Sequence, residues 1–184
     1  LRMLNGDTEF NEMFVDNVFL PSDSLLGKEN QGWTVAMTTL TVERSSVAFN
    51  LQVWARQMLD RLIELIIQKK LHEDTYVLDR LGSFESQVSA IRIGAIRSAS
   101  AMAAGEEPGA EASALKLQWA RAVQEITRFC LEIGAPAIQL NDTIGQNFWI
   151  HKYLRARGHS IEGGTDEIQK SIIAERILNL PKSR

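Results

Sequence analysis

The 184-residue sequence has a single cysteine, Cys130, so no disulfide can close within it. That usage suits a reducing compartment, a bacterial cytoplasm or a mitochondrial matrix. No apolar run approaches the roughly 18 residues of a spanning helix, and no membrane span is expected. The net charge of −3 gives neither nucleic acid nor an anionic membrane an electrostatic handle. His72, His151 and His159 are far apart, which leaves no zinc-spaced cluster and no expected metal site. Phosphate loop, nucleophile elbow, dinucleotide fingerprint and internal repeats are also missing. Proline is scarce, and Pro21, Pro108, Pro136 and Pro181 fall between long tracts free to be helical.

Those tracts carry helical periodicity. A first helix is expected from about Gly32 to Lys70, with Met58, Leu59, Leu62, Ile63, Leu65, Ile66 and Ile67 as its apolar face. A second, following a polar break at 71–75, carries Leu78, Leu81, Phe84, Val88, Ile91, Ala95 and Ile96 and ends near Ala104. A third, about 110–133, places Ala112, Leu115, Trp119, Val123, Ile126, Cys130 and Ile133 at steps of three and four. Cys130 therefore reads as core. After a loop at 141–147, a short helix spans 148–157. Gly163-Gly164-Thr165 then marks a tight turn and an N-cap for a last helix that reaches about Asn179. The expected fold is all-α, an antiparallel four-helix-type bundle. Residues 8–21, rich in aromatic and β-branched side chains, read as one or two strands of a sheet whose other strands lie elsewhere. With Leu1 in place of an initiator Met, the expectation is a piece of a longer protein.

Within the first helix one feature is out of pattern. From Trp33 to Ala55 only Glu43 and Arg44 are charged. On a helix Glu43 shares a face with Ala36, Thr39, Leu40, Val47 and Asn50, so its carboxyl is expected to look into a cavity or helix interface. That makes it a candidate proton acceptor with a tunable pKa. The alternative is an exposed stripe on an amphipathic helix.

Three stretches together resemble the acyl-CoA dehydrogenases. Ile161-Glu-Gly-Gly-Thr-Asp-Glu-Ile-Gln-Lys-Ser-Ile-Ile-Ala-Glu-Arg-Ile-Leu-Asn-Leu-Pro181 is similar to that family's C-terminal signature. Gly27-Lys-Glu-Asn-Gln-Gly-Trp-Thr-Val-Ala-Met-Thr-Thr-Leu-Thr-Val-Glu-Arg44 resembles the entry to its C-terminal helical domain. Phe10-Asn-Glu-Met-Phe-Val-Asp-Asn-Val-Phe-Leu-Pro21 resembles the end of its middle β-domain. The resemblance implies residues 1–25 as a β remnant and 26–184 as the helical domain.

It also implies a chemistry. The family uses FAD to oxidise acyl-CoA thioesters to trans-2-enoyl-CoA: a carboxylate takes the Cα proton while hydride leaves Cβ for the flavin. An electron-transfer flavoprotein-type acceptor then takes the electrons. In medium-chain members the base directly precedes the final Gly-Thr, a position held here by Gly163, with Glu162 one residue too early. In isovaleryl and long-chain members it sits on the first helix before an Arg, as Glu43 does before Arg44, which is then expected to touch substrate. The backbone N–H matching Gly163 polarises the thioester oxygen, and Thr165 and Glu167 match positions near the flavin or its adenine half.

Two flavin motifs depart from the family pattern. The Arg-x-x-Phe-Gly clamp has no match in Tyr76–Phe84, and of the Gln-x-x-Gly-Gly-x-Gly turn only Gly134 is kept. These losses favour an alternative, a non-catalytic or half-site partner subunit in a mixed assembly. An acyl-CoA oxidase is a third reading. The chain is expected to form a homodimer or tetramer, or a hetero-oligomer, and alone to be inactive and free of FAD.

Overall fold

A computed structural model describes residues 1–106, 109–134 and 148–182, apart from the side chains of residues 41, 42 and 44–48. Five α-helices lie among them: α1 Gly32–Gln68, α2 Thr75–Ala103, α3 Glu111–Gly134, α4 Phe148–Ala156 and α5 Asp166–Arg176. Short 3-10 turns occupy Ser22–Ser24 and Arg157–Ser160. The all-α expectation holds, since no strand occurs among the described residues.

Local chemistry explains the reversal between α1 and α2. Lys70 adopts φ +58°, and the Leu71 N–H closes on the Ile66 carbonyl at 3.0 Å while Lys70 N–H reaches Ile67. This double closure ends α1. Four residues later the Asp74 carboxylate accepts the N–H groups of Tyr76 and Val77 at 2.9 and 3.2 Å, capping α2. So short a connection lays α2 back along α1. α1, α2 and α3 pack on one another, and α4 and α5 pack on α3.

The core joins Leu59, Leu62 and Ile66 of α1, Phe84, Val88 and Ile91 of α2, and Val123, Ile126, Phe129 and Cys130 of α3. Burial pushes the Cys130 thiol pKa upward, which keeps it a neutral packing group. The loop expected at 141–147 lies outside the described residues.

Several expectations need correction. Residues 8–21 form no strand; they are irregular and exposed, with Asn17 at φ +50°, because no neighbouring strand among the described residues offers ladder partners. The segment before them is tied down by polar contacts instead: Asn5 and Asp7 reach His151 of α4 at 3.2 and 2.9 Å. In α2 the buried stripe is Val77, Phe84, Val88, Ile91 and Ala95, so Leu78 and Ile96 face outward. Ile67 in α1 is likewise exposed. The last helix stops at Arg176, where Leu178 N–H turns back to the Ile173 carbonyl and Asn179 takes φ +53°.

This register is testable within one residue type. Ile91 is 1% exposed and Ile96 is 49% exposed. Ile91→Ala is expected to cost about 2–5 kcal/mol in denaturant unfolding, and Ile96→Ala about 1 kcal/mol or less. Equal losses would show that both residues are buried and that the stripe is drawn wrongly.

Candidate functional site

The glycine turn is built from four elements. α4 runs into the 3-10 turn, the chain reverses through Ile161–Gly164, and Thr165 opens α5. The Ile161 and Glu162 N–H groups both bond the Gly158 carbonyl at 2.9 Å, which tightens the approach. Gly163 and Gly164 follow at φ +64° and +95°, a left-handed pair that L side chains seldom adopt. Thr165 accepts the Ile168 N–H at 3.3 Å and so N-caps α5 as its sequence position predicts. Glu167 lies in the first turn of α5. A hydrogen bond from its own backbone N–H, and a second from Thr165, hold its carboxyl below the ordinary range.

Side chains from α3 fasten this segment along their length. Gln124 donates to the Ala156 carbonyl at 2.9 Å and to Ser160 Oγ at 3.2 Å. The Trp119 ring packs 4.3 Å from the buried His159 ring. Lys116 donates to the Gly164 carbonyl at 2.7 Å and lies 3.8 Å from Asp166. Burial lowers the Lys116 pKa, although Asp166 and Glu162 oppose it. From α5 the buried Gln169 donates to the Gly163 carbonyl at 2.7 Å.

Glu162 is fully engaged. Arg155 grips it with two nitrogens at 3.1 and 2.8 Å, and His159 Nδ1 lies 2.6 Å from its other face. Arg155 also holds Glu9, at 2.7 Å. Partial burial raises the Glu162 pKa, but hydrogen bonds from His159 and Arg155 and the Arg155 charge outweigh it and bring it to about 2.

The sequence-predicted residues divide into three places. Gly163, Thr165 and Glu167 come together at the turn. Gly134 ends α3, 18 residues beyond Lys116, which at about 1.5 Å per residue is roughly 27 Å from the turn. Glu43 stands in the first half of α1, where none of the described side chains from Gly32 to Asn50 is buried. Its expected place in a lined cavity is not met in this chain: Glu43 is exposed, and among the described side chains of α1 the first buried one is Leu51. The Arg44 side chain lies outside the described set. A cleft of about 930 Å³ opens between α2 and α3 beside Ile96, Leu115 and Ile177, and includes none of these residues.

The turn has room for a bound group. A Cβ at Gly163 would meet no atom within 4 Å, so its backbone is open to a ligand, whereas a Cβ at Gly164 would sit 2.6 Å from Gln169 Nε2. Residues 163–167 therefore fit a cofactor or thioester approaching the backbone. Arg80 and Phe84 do not: Phe84 is wholly buried, and Arg80 lies 4.7 Å over its ring and 3.7 Å from Glu125.

Residues 30–178 match the family described as Acyl-CoA dehydrogenase, C-terminal domain. The chain belongs to the acyl-CoA dehydrogenase family. It is 34% identical over 181 residues to the acyl-CoA dehydrogenase IpdE1 of Mycobacterium tuberculosis, covering 97% of this chain and 46% of that protein. It is 32% identical over 182 residues to FadE34 of the same organism, covering 99% of this chain and 24% of that one. The chain thus spans less than half the length of these curated relatives. An acyl-CoA dehydrogenase structure from Geobacillus kaustophilus shares the fold with a TM-score of 0.79 at 23% identity, over 91% of this chain and 44% of that one.

Sequence reading missed Lys116, Gln124, Arg155 and Gln169. Lys116 carried a signal, a lone charge in Ala114-Leu115-Lys116-Leu117, like the one that singled out Glu43. The others have no local signal, since their partners lie elsewhere along the chain or on a neighbouring turn.

The Glu162 cluster makes stability depend on pH. The folded pKa of about 2 lies below the usual 4.5, so its stabilisation is complete above about pH 4.5 and is lost as pH falls towards 2. Glu162→Gln is therefore expected to lower the denaturation midpoint at neutral pH, with the gap to wild type closing between about pH 4.5 and 2. A gap constant across that window would exclude the ion pairs as its source.

Proposed function

We propose that this chain forms the acid–base part of an FAD-dependent acyl-CoA dehydrogenase, which converts an acyl-CoA thioester to trans-2-enoyl-CoA with Glu43 as general base. The observation that carries this is the state of Glu162. The family offers two places for the base, and the carboxylate nearest the turn position is bound by Arg155 and His159 with its pKa drawn down to about 2. A base that weakly basic is a poor acceptor for a carbon-bound proton. The first-helix position then falls to Glu43.

In this reading Glu43 takes the Cα proton as the Cα–H bond breaks, and the released electron pair becomes the Cα=Cβ bond. Charge that develops on the thioester oxygen meets the Gly163 N–H, which makes no hydrogen bond among the described residues. The FAD that Thr165 and Glu167 would hold would supply the acceptor for the hydride leaving Cβ. Arg44 binds substrate beside Glu43, while Thr165 and Glu167 hold the cofactor at the turn. Gly134, at the far end of α3, serves a cofactor in a second copy, in keeping with a homodimer or tetramer. Segments outside the matched region, or a second copy, cover Glu43 and exclude water from it. An electron-transfer flavoprotein-type acceptor carries the electrons onward.

One observation favours a second reading. The stretch Tyr76–Phe84, near which the family's flavin clamp is expected, has no match to it, and its Arg80 and Phe84 are taken up by packing, as suits a half-site subunit in a mixed assembly. Flavin content separates the two. In the full-length protein, Glu43→Gln is expected to slow acyl-CoA-driven flavin reduction about 100- to 10,000-fold while acyl-CoA still binds. Glu162→Gln is expected to cost far less. The reverse pattern would place the base at the turn, and a full-length protein purified without flavin would support the partner-subunit reading.

A further inference from the structure

The glycine turn is held by its carbonyls. Each peptide plane of Gly163-Gly164 lacks a side chain to brace it, and glycine has the greatest backbone freedom to lose. Yet each carbonyl has a close donor, from a different helix in each case, and Gln169 also reaches the Gly164 oxygen at 3.5 Å. Gln169 of α5 takes the Gly163 oxygen and Lys116 of α3 takes the Gly164 oxygen, both at 2.7 Å. Just upstream, Arg155 and His159 grip Glu162, whose N–H is bound to Gly158. The plane bearing the Gly163 N–H therefore lies between fixed neighbours, while that N–H has no partner among the described residues. The donors are poorly exposed: the Lys116 side chain is 12% exposed and Gln169 is 1% exposed. Lys116 is half-buried, with Asp166 3.8 Å away, and its ammonium loses part of its hydration to reach the Gly164 carbonyl.

We propose that Lys116 and Gln169 are positioning residues for thioester polarisation: by holding the Gly164 and Gly163 carbonyls, they fix the turn so that the Gly163 N–H stays presented to the substrate's carbonyl oxygen. The inference rests on the reading of Gly163 given above. Neither side chain touches the reacting atoms. Each removes a rotation that would otherwise have to be frozen as charge develops on the thioester oxygen.

The test uses full-length flavin-loaded protein and a saturated acyl-CoA whose thioester carbonyl stretch is followed by infrared difference spectroscopy. In the wild type, binding is expected to move that stretch to lower frequency. In Lys116→Met, and in Gln169→Met as a second and gentler variant, it is expected to return towards its position in water. The maximal rate of flavin reduction should fall about 10- to 100-fold with KM changed less than about threefold, a fraction of the 100- to 1,000-fold seen when an oxyanion donor is deleted. Lys116→Arg, which keeps a cationic donor, is expected to recover part of both signals. Either Met variant that folds, binds flavin and retains both the wild-type stretch and the wild-type rate overturns the role of that residue. A merely structural role would lower stability and leave the stretch of the bound thioester unmoved. If the wild type shows no shift on binding, Gly163 is not the donor, and the proposal falls together with that assignment. If the wild type shifts and the variants do not differ from it, only the positioning role falls.

Discussion

Everything in this fold leans on α3, which has almost no solvent face. Its exposed residues, Glu111, Gln118, Arg121, Arg128 and Glu132, form a narrow stripe at steps of three, four and seven. The rest of its circumference is divided among α1, α2, α4 and α5. A helix covered on so many sides fixes the relative positions of everything packed on it, because close-packed interiors give little under load. Leu115, Val123, Ile126 and Phe129 serve the apolar contacts. Lys116, Trp119 and Gln124 reach the segment from Ala156 to Gly164. One element thus anchors both the core and the turn.

How much of this was legible follows from the range of each interaction. The described helices, the break at 71–75 and the Thr165 cap depend on residues within a few positions of each other, and they read correctly. The α3 stripe also read correctly, but as one face where the structure uses several, since periodicity reports the most apolar side and not the number of neighbours. In α2 the choice between Val77 and Leu78 was a question of rotation by one residue, or about 100°. Leu78 was expected on the inner face, but the packing partners on α1 and α3 set the angle and bury Val77 instead. Residues 8–21 have strand-like composition, but a strand requires a partner for its backbone groups, and composition cannot supply one. Glu43 stood out correctly as a charge in an apolar run, yet burial is a property of what covers a helix and not of its own sequence. Lys116 was the same kind of anomaly, and its partner, the Gly164 carbonyl, is 48 residues away.

The turn shows how a backbone donor is made from a flexible sequence. Two successive glycines at positive φ allow the chain to reverse tightly, and the Gly163 N–H has no hydrogen-bond partner among the described residues. The same freedom works against a fixed donor, because a mobile N–H must be ordered at each encounter. Carbonyl anchoring resolves this conflict without adding a side chain to the surface. Gln169 comes so close to Gly164 that a Cβ there would sit 2.6 Å from its amide nitrogen, so the clamp itself demands glycine at that position. The glycine pair and the residues that hold it are parts of one constraint.

The pairing of Glu162 carries this argument to the choice of base. A carboxylate works as a general base when its conjugate acid is stable enough to exist for the lifetime of the step. Glu162 has the opposite environment: the Arg155 guanidinium and the His159 ring favour the ionised form so strongly that protonation is displaced to about pH 2. Protonating it would also break contacts that hold the upstream side of the turn, so under the proposed role of Gly163 a proton accepted there would loosen the donor. A carboxylate cannot serve both as an anchor of the donor and as the acceptor of the proton without undoing one task by performing the other. Placing the base on a separate helix removes that conflict. This is a physical reason, independent of any motif, that supports the proposed base on α1 over one at Glu162.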